Sequence, residues 1–400
     1  MNNNRIWTKE YVLLMASNFF VAINFYALLA TGAIFAIDEL GTSETQGGIA
    51  AGIFVVGSLS ARIVISRYAN RIGFKRTIII GLSALVISSA LLFIVNSFVL
   101  LCIVRFLCGA SFGVNNNTMF AEVTLIIPND RKGEGLGWFS LSQILGIALG
   151  PFFAVSLLNL YSFREVFMMT FFSGAAAFAF YLVLSSYKDR KAKPTNLKEF
   201  QNSETIPAPQ KQERGIWQFF EPSAVKISIL CFLIYIGYSN YMAFAAVYLT
   251  VSGAVNISSV VFLASAGAML VLRPFVGKSF DLRGPNLMLT CGFIFLSGGL
   301  LIFSLGNTTA VFLSAAILIG LGLTSLQGTT VSIVVTNAPR HRLTVANATY
   351  FLAFDLGSAV GPTLGGRIAE FTSFSALYTV CAIVVIACLP LYFGVLAKRN

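Results

Sequence analysis

Charged side chains are scarce in this sequence. Asp, Glu, Lys and Arg make up only 11% of 400 residues, whereas a soluble domain carries roughly 25%. Hydrophobic residues reach 56% and the mean hydropathy is +0.81. This composition excludes a large soluble catalytic domain, a disordered chain and a collagen-like chain. It fits about a dozen membrane-spanning helices of about 20 residues each.

Groups that bind metals or perform catalysis are equally scarce. The chain has one histidine, His341, and its six cysteines form no close CxxC pair. We therefore expect no metal site, no cofactor and no disulfide framework. We find no phosphate-binding loop and no catalytic cluster, so the sequence argues against an enzyme. The net charge of +11 would suggest nucleic acid in a soluble protein, but in a membrane protein it indicates basic cytoplasmic loops.

Twelve apolar segments are long enough to span a bilayer as helices, since a helix satisfies its own backbone hydrogen bonds in lipid. The segment at 188–223 is polar and contains Ile206-Pro207-Ala208-Pro209, which is typical of a linker. We predict an all-α integral membrane protein with a six-helix bundle at 1–187, a cytoplasmic linker at 188–223 and a second six-helix bundle at 224–400. The apolar segments lie approximately at 11–37, 47–66, 77–95, 97–121, 136–159, 166–187, 224–250, 256–276, 286–306, 309–335, 343–367 and 373–397.

The positions of the basic residues predict the orientation of the chain. Of the 27 Lys and Arg residues, 22 lie at the termini, in the loops after even-numbered segments or in the linker region. The opposite side holds only Arg164 and Arg367. Basic loops stay in the cytoplasm, so we expect both termini there, in a multi-pass protein of the plasma membrane, such as a bacterial cell membrane.

The two predicted bundles are copies of one another. A shift of 211 residues aligns 62–151 with 273–362 and matches Arg62 with Arg273, Gly73 with Gly284 and Pro151 with Pro362. Six helices in each copy give the copies the same orientation. Parallel repeats of this kind form the two halves of transporters that work by alternating access. Arg62 and Arg273 each lie about one turn from a basic loop, which favours anchoring at the membrane surface.

Three further patterns resemble the major facilitator superfamily, in particular its twelve-helix drug and metabolite exporters, over nearly the whole chain. Ser66 to Arg76 resembles the family pattern G-x-L-A-D-R-x-G-R-K, with Asn70 at the acidic position. Arg105 to Gly109 resembles R-x-x-Q-G. Pro128 to Gly137 resembles the loop between helices 4 and 5, although a solvated turn is an adequate reading of it.

The resemblance implies a conformational latch in the loop after helix 2 and in its repeat. The latch candidates are Asn70, Arg71, Gly73, Lys75, Arg76, Asp281 and Gly284. In the family, the acidic residue helps to hold the two halves together on the cytoplasmic side. Asn70 cannot form an ion pair, so the first copy of the latch is expected to be weaker.

Small residues four apart allow helices to approach closely, and proline bends a helix. The pattern Gly146-x-x-x-Gly150-Pro151 resembles a motif associated with exporters, and helix 11 carries a fuller version. Generic tight packing explains these glycines equally well. The packing candidates are Gly146, Gly150, Pro151, Gly357, Gly361, Pro362, Gly365 and Gly366.

Three ionisable residues are candidates for proton coupling. Asp355 lies near the middle of helix 11, where a carboxyl group that gains and loses a proton could couple transport to protons. Pairing with an arginine is the alternative. Arg105 is well inside helix 4, where a charge is costly and must face a cavity or a partner. A relay or substrate residue and a guanidinium bound to backbone carbonyls are its two interpretations. Glu122 is closer to the cytoplasmic end, where pairing with loop arginines is the alternative.

Polar and amphipathic residues within the apolar segments are candidates to line a substrate cavity, although such residues often only join helices. The absence of a carboxylate in helix 1 argues against a typical exporter of cationic drugs. The cavity candidates are Asn24, Tyr26, Asn116, Gln143, Tyr238, Tyr241 and Gln327.

The sequence thus predicts a secondary transporter that exports a small amphipathic drug or metabolite in exchange for protons, acting as a monomer in the lipid bilayer. The alternative in the same class is a facilitator or importer of a small metabolite without proton antiport. A membrane sensor or scaffold is a third reading, but the longest loop is too short for a signalling domain.

Overall fold

The structure is a computed structural model, and the residues it describes are 6–128, 131–191, 220–339 and 342–395. The predicted linker lies mostly outside them, as do the side chains at 66–71 and 281–283. The described residues form twelve long helices. They are α1 Lys9–Ile34, α2 Glu44–Ile72, α3 Phe74–Leu91, α4 Phe98–Ile126, α5 Lys132–Leu160, α6 Phe163–Lys191, α7 Pro222–Val251, α8 Val260–Arg283, α9 Pro285–Ser304, α10 Thr309–Asn337, α11 Leu343–Phe371 and α12 Phe374–Val395.

Apolar runs and local capping residues determine where these helices lie. Thr8 accepts a hydrogen bond from the amide of Tyr11 at the start of α1, and Ser97 accepts one from the amide of Leu100 at the start of α4. Several helices extend beyond the predicted apolar segments because polar turns continue them outside the hydrocarbon layer. Among the described residues, eleven helices are long and apolar enough to cross a membrane. Helix α11, with 29 residues, is not among these eleven, and it carries Asp355.

Two groups of helices pack around one large hydrophobic core. Within α1–α6 the closest neighbours are α2 with α4 and α1 with α5. Within α7–α12 they are α9 with α10 and α7 with α11. The prediction of an all-α membrane fold is confirmed. We call α1–α6 the N half and α7–α12 the C half.

Each half turns sharply between its second and third helices. Gly73 has φ 87° and Gly284 has φ 72°, and each residue caps the helix that follows. This left-handed backbone region strongly favours glycine. The two positions are 211 residues apart, so the repeat seen in the sequence is also present in the backbone.

The halves meet mainly through α2 against α11, α5 against α8 and α1 against α7. We call the end where α1 begins and α12 finishes the termini end, and the opposite end the far end. At the far end the amide of Thr45 donates to Glu370 Oε2 at 3.1 Å, and Asn159 Nδ2 donates to Val255 O at 3.1 Å. These contacts hold the halves together at the far end.

Candidate functional site

An ion pair joins the two halves near the middle of the molecule. Arg62 Nη1 on α2 lies 2.8 Å from Asp355 Oδ2 on α11, and the two side chains are 20% and 4% exposed. Asp355 is twelve residues into α11, about 18 Å from the termini end of that helix at 1.5 Å per residue. The expectation that Arg62 anchors at the membrane surface is wrong, because its side chain turns inward to Asp355.

Tyrosines from both halves surround this pair. Tyr26 on α1 lies within electrostatic reach of Arg62 and Asp355 and close to the side-chain amide of Gln143. From the C half, the Tyr235 ring packs on Phe354 with 4.1 Å between centroids and on Tyr238 with 6.0 Å between them. These residues form the midline cluster, a polar and aromatic lining around one buried ion pair.

Arg105 on α4 is bound within the N half. Its side chain is buried, Nε donates to Ala50 O at 2.5 Å, and Nη1 donates to Leu28 O at 3.0 Å. The guanidinium also lies 4.7 Å from the centre of the Phe54 ring. A Cβ at Gly32 would overlap this guanidinium, so glycine makes room for it. The described contacts of Arg105 therefore join α1, α2 and α4.

Arg105→Lys should lower thermal stability more than it lowers transport per folded molecule. An ammonium group cannot reproduce the two directed hydrogen bonds of the guanidinium, and an unsatisfied buried acceptor costs about 1–3 kcal/mol. The unfolding temperature of the purified protein and proton-driven flux in vesicles would be measured in parallel. If coupling is lost at unchanged stability, Arg105 is a relay or substrate residue rather than a structural one.

Glu122 lies inside the N half. Its side chain is buried, and Tyr181 donates a hydrogen bond to Oε2 at 3.0 Å. This contact links α4 to α6, away from the surfaces that the two halves present to each other. The role of Glu122 in proton coupling stays a prediction.

Some of the cavity candidates lie at the midline cluster, and others lie where helices pack together. Tyr26, Gln143 and Tyr238 belong to the midline cluster, and Gln143 Nε2 donates to Asn116 Oδ1 at 3.4 Å. Gln327 is half-buried on α10.

Two other candidates lie within helix packing. Asn24 Nδ2 donates to Thr170 O at 2.7 Å and to Ser89 Oγ at 3.0 Å, which ties α1 to α6 and α3. The Tyr241 hydroxyl donates to Val261 O at 3.0 Å within the C half. The Tyr241 ring nevertheless lies 6.1 Å from that of Tyr238 in the midline cluster, whereas Asn24 bonds within the N half.

The latch candidates are only partly described. Gly73 and Gly284 form the two sharp turns, and Lys75 and Arg76 are exposed at the start of α3. The side chains of Asn70, Arg71 and Asp281 lie outside the described residues. The latch role stays a prediction.

The glycines of the packing motifs lie where neighbouring helices approach closely. Gly146 faces Ala22, and Gly150 faces Ile23 O, so α5 packs on α1. Gly357 faces Phe232 O, and Gly361 faces Ile236 O, so α11 packs on α7 in the same way. Pro151 and Pro362 lie inside α5 and α11. Gly365 contacts Asn240, whereas Gly366 faces Glu44 O across the halves.

Sequence reasoning missed two tyrosines of this region. Tyr235 belongs to the midline cluster, and the fully buried Tyr350 shares a 2.9 Å hydrogen bond with Thr330 Oγ1. Tyr235 could have been found from its spacing, because Tyr238 lies one helical turn away on the same face of α7.

Comparisons with known proteins agree with this architecture. The family model of the Major Facilitator Superfamily matches residues 14–354 and 227–400. An uncharacterized MFS-type transporter of Methanocaldococcus jannaschii is 24% identical over 94% of both chains. The multidrug resistance protein MdtG of Escherichia coli is 24% identical over 71% of this chain and 68% of its own.

Solved structures share the fold at low sequence identity. A POT family transporter in complex with a thioalcohol conjugated peptide has a TM-score of 0.79 at 13% identity and covers 97% of this chain and 96% of its own. The nucleoside transporter NupG has a TM-score of 0.75 at 12% identity and covers 98% and 100%. With twelve helices in two repeated halves and a family match along nearly its whole length, the chain belongs to the Major Facilitator Superfamily.

Proposed function

We propose that this transporter exports a small amphipathic drug or metabolite by proton antiport, with Asp355 as the proton-coupling residue. The observation that carries the proposal is the Arg62–Asp355 ion pair. It places a buried carboxylate between the two halves that must move relative to one another. Asp355 is a buried acidic residue whose ion pair crosses between the halves within the membrane.

The contacts between the halves support alternating access. At the far end, the α2 and α11 backbones touch, since a Cβ at Gly48 would overlap Pro362 O. Toward the termini end, Arg273 is exposed although it lies on the inward side of α8. In our proposal the cavity is open to the termini end in this conformation. We infer from the basic loops that this end is cytoplasmic, in a cell membrane.

Protonation of Asp355 supplies the coupling step. A charged Asp355 holds Arg62 and thereby ties α2 to α11. A protonated Asp355 has no charge to hold Arg62, so the tie weakens and the halves can rearrange. A proton that enters at one end and leaves at the other therefore biases the conformational change. One charge moved through 100 mV supplies about 2.3 kcal/mol, enough for a concentration ratio of roughly 50.

Export as the direction is supported by the relatives. One of them carries the name multidrug resistance protein, and the glycine–proline motif of α5 resembles that of exporters. The midline cluster lies within a single chain, which supports a monomer as the working unit. The alternative is a facilitator or importer without proton antiport, in which the Arg62–Asp355 pair is a permanent tie.

Proton release from acidified inverted vesicles tests the proposal. We expect an amphipathic substrate added outside the vesicles to release protons, recorded with a pH-sensitive dye, only when this protein is present. The matched control is vesicles containing the Asp355→Asn variant at the same protein level. Substrate flux that proceeds with no proton movement would support the facilitator instead.

A further inference from the structure

The internal repeat supplies the starting point for the substrate class. The shift of 211 residues relates Arg62 on α2 to Arg273 on α8. The same shift relates Asp355 on α11 to Ile144 on α5, which is buried. The C half therefore repeats the arginine, but the N half does not repeat the carboxylate that would face it.

Arg273 points toward the inside of the protein and not toward lipid. Val271 and Phe275 are 70% and 61% exposed and share one face of α8. At about 100° per residue, Arg273 lies on the opposite side of the helix, within about 60° of the directions of the buried Met269 and Val276. Arg273 is nevertheless exposed, so its side chain reaches the space between the halves.

A second observation places Arg273 at the midline cluster. Its guanidinium lies within electrostatic reach of the Tyr235 hydroxyl. Tyr235 in turn interacts with Tyr26 of the N half, the residue beside the Arg62–Asp355 pair. The two repeated arginines thus face the same space from opposite halves.

The charges around this space do not cancel. Arg62 is neutralised by Asp355, Arg105 is bound to backbone carbonyls, and Glu122 is bound to Tyr181 within the N half. Among the described side chains, Arg273 has no carboxylate partner. A permanent guanidinium charge that faces the cavity is suited to a carboxylate, which it can bind through two parallel hydrogen bonds.

We propose that the substrate is an amphipathic monoanion whose carboxylate binds Arg273 while its apolar body lies against the aromatic rings of the midline cluster. This inference rests on the proposed transport function and names its substrate class. A bound monoanion brings the formal charge of Arg62, Asp355 and Arg273 to zero. Opposite charges attract more strongly beside protein than in bulk water, so this charge balance stabilises the bound ligand.

Equilibrium binding to the purified full chain in lipid nanodiscs tests the inference. The probes are diphenylacetate, diphenylacetamide and diphenylethylamine, which share an apolar body and carry an anionic, a neutral and a cationic head group. We expect calorimetric titration to show that diphenylacetate binds at least about tenfold more tightly than the amine. Arg273→Gln should weaken diphenylacetate about tenfold and leave the amide unchanged, which also shows that the variant is folded. Arg273→Lys should recover part of the loss.

Arg367→Gln is the matched control. It removes the same charge from an exposed position on α11, where the guanidinium lies over Phe371, and should leave all three affinities unchanged. Tighter binding of the amine, equal affinities for the three probes, unchanged diphenylacetate binding in Arg273→Gln, or no binding of any probe would each overturn the inference. The binding assay uses no proton gradient, so its failure would leave the proton-coupling proposal intact. Conversely, a loss of proton coupling in vesicles would leave the binding result intact.

Discussion

Asp355→Asn should abolish proton-driven transport and leave downhill exchange of substrate in place. Asparagine has nearly the same shape but neither carries a charge nor gains a proton, so the variant cannot carry a proton between the two ends. One proton moved through 100 mV supports an accumulation ratio of roughly 50, and we expect the variant to lose nearly all of it. Exchange of substrate down its own gradient, with no proton gradient present, should continue. Both quantities are measured in the same inverted vesicles.

Two control variants separate this effect from simple loss of charge. Glu165→Gln removes a half-buried carboxylate at the start of α6, where it accepts a hydrogen bond from Ser162, and should leave coupling unchanged. Glu122→Gln removes the other carboxylate that the sequence places in the membrane. If Glu122→Gln loses proton coupling while Asp355→Asn keeps it, Glu122 carries the proton instead. Undiminished coupling in Asp355→Asn rules out our assignment.

The unfolding temperatures of the variants show how much the Arg62–Asp355 ion pair contributes to stability. Removing one partner of a buried ion pair costs about 3–5 kcal/mol, and less is expected here because Arg62 keeps some contact with water. The double variant Arg62→Gln with Asp355→Asn leaves no unpaired charge. It should therefore regain much of the unfolding temperature that Asp355→Asn loses, without regaining proton coupling. This outcome separates the chemical role of Asp355 from its role as a tie between the halves.

The sequence predicted the helices well because the physical requirement is simple. A span needs a long apolar run, and the start of α4 and both limits of α10 follow from such runs to within two residues. The repeat was also visible, since Gly73 and Gly284 occupy turns that strongly favour glycine. The depth of Asp355 followed from counting residues along one helix.

The partners of the site residues were not predictable in the same way. Arg62 and Asp355 are far apart in the sequence and meet only because α2 packs on α11, and no local pattern encodes that packing. Helix α1 is buried around most of its circumference. The periodicity of its apolar residues therefore does not show which helices Asn24 and Tyr26 each face. Asn24 consequently ties helices together, while Tyr26 lies at the midline.

Gly48→Val should shift the protein away from the far-end-closed conformation. A Cβ at Gly48 would overlap the Pro362 carbonyl oxygen, and neighbouring contacts of Gly52 with Ala359 and of Gly366 with Glu44 are also made through backbone. Backbone cannot move aside as a flexible side chain can. Overpacking of this kind costs typically 1–3 kcal/mol, which would lower the ratio of closed to open far ends by roughly 5- to 150-fold.

Amide hydrogen exchange provides the measurement. We expect peptides covering 44–56 and 359–371 to exchange faster in Gly48→Val than in the original chain, because α2 and α11 no longer shield one another at the far end. Transport should fall, since a carrier that cannot close one end cannot complete its cycle. Gly298→Val on α9 is the matched control, because a Cβ there meets no atom within 4 Å, and it should change neither exchange nor transport. Unchanged exchange at the far end of Gly48→Val would mean that α2 and α11 do not close the cavity in the way we propose.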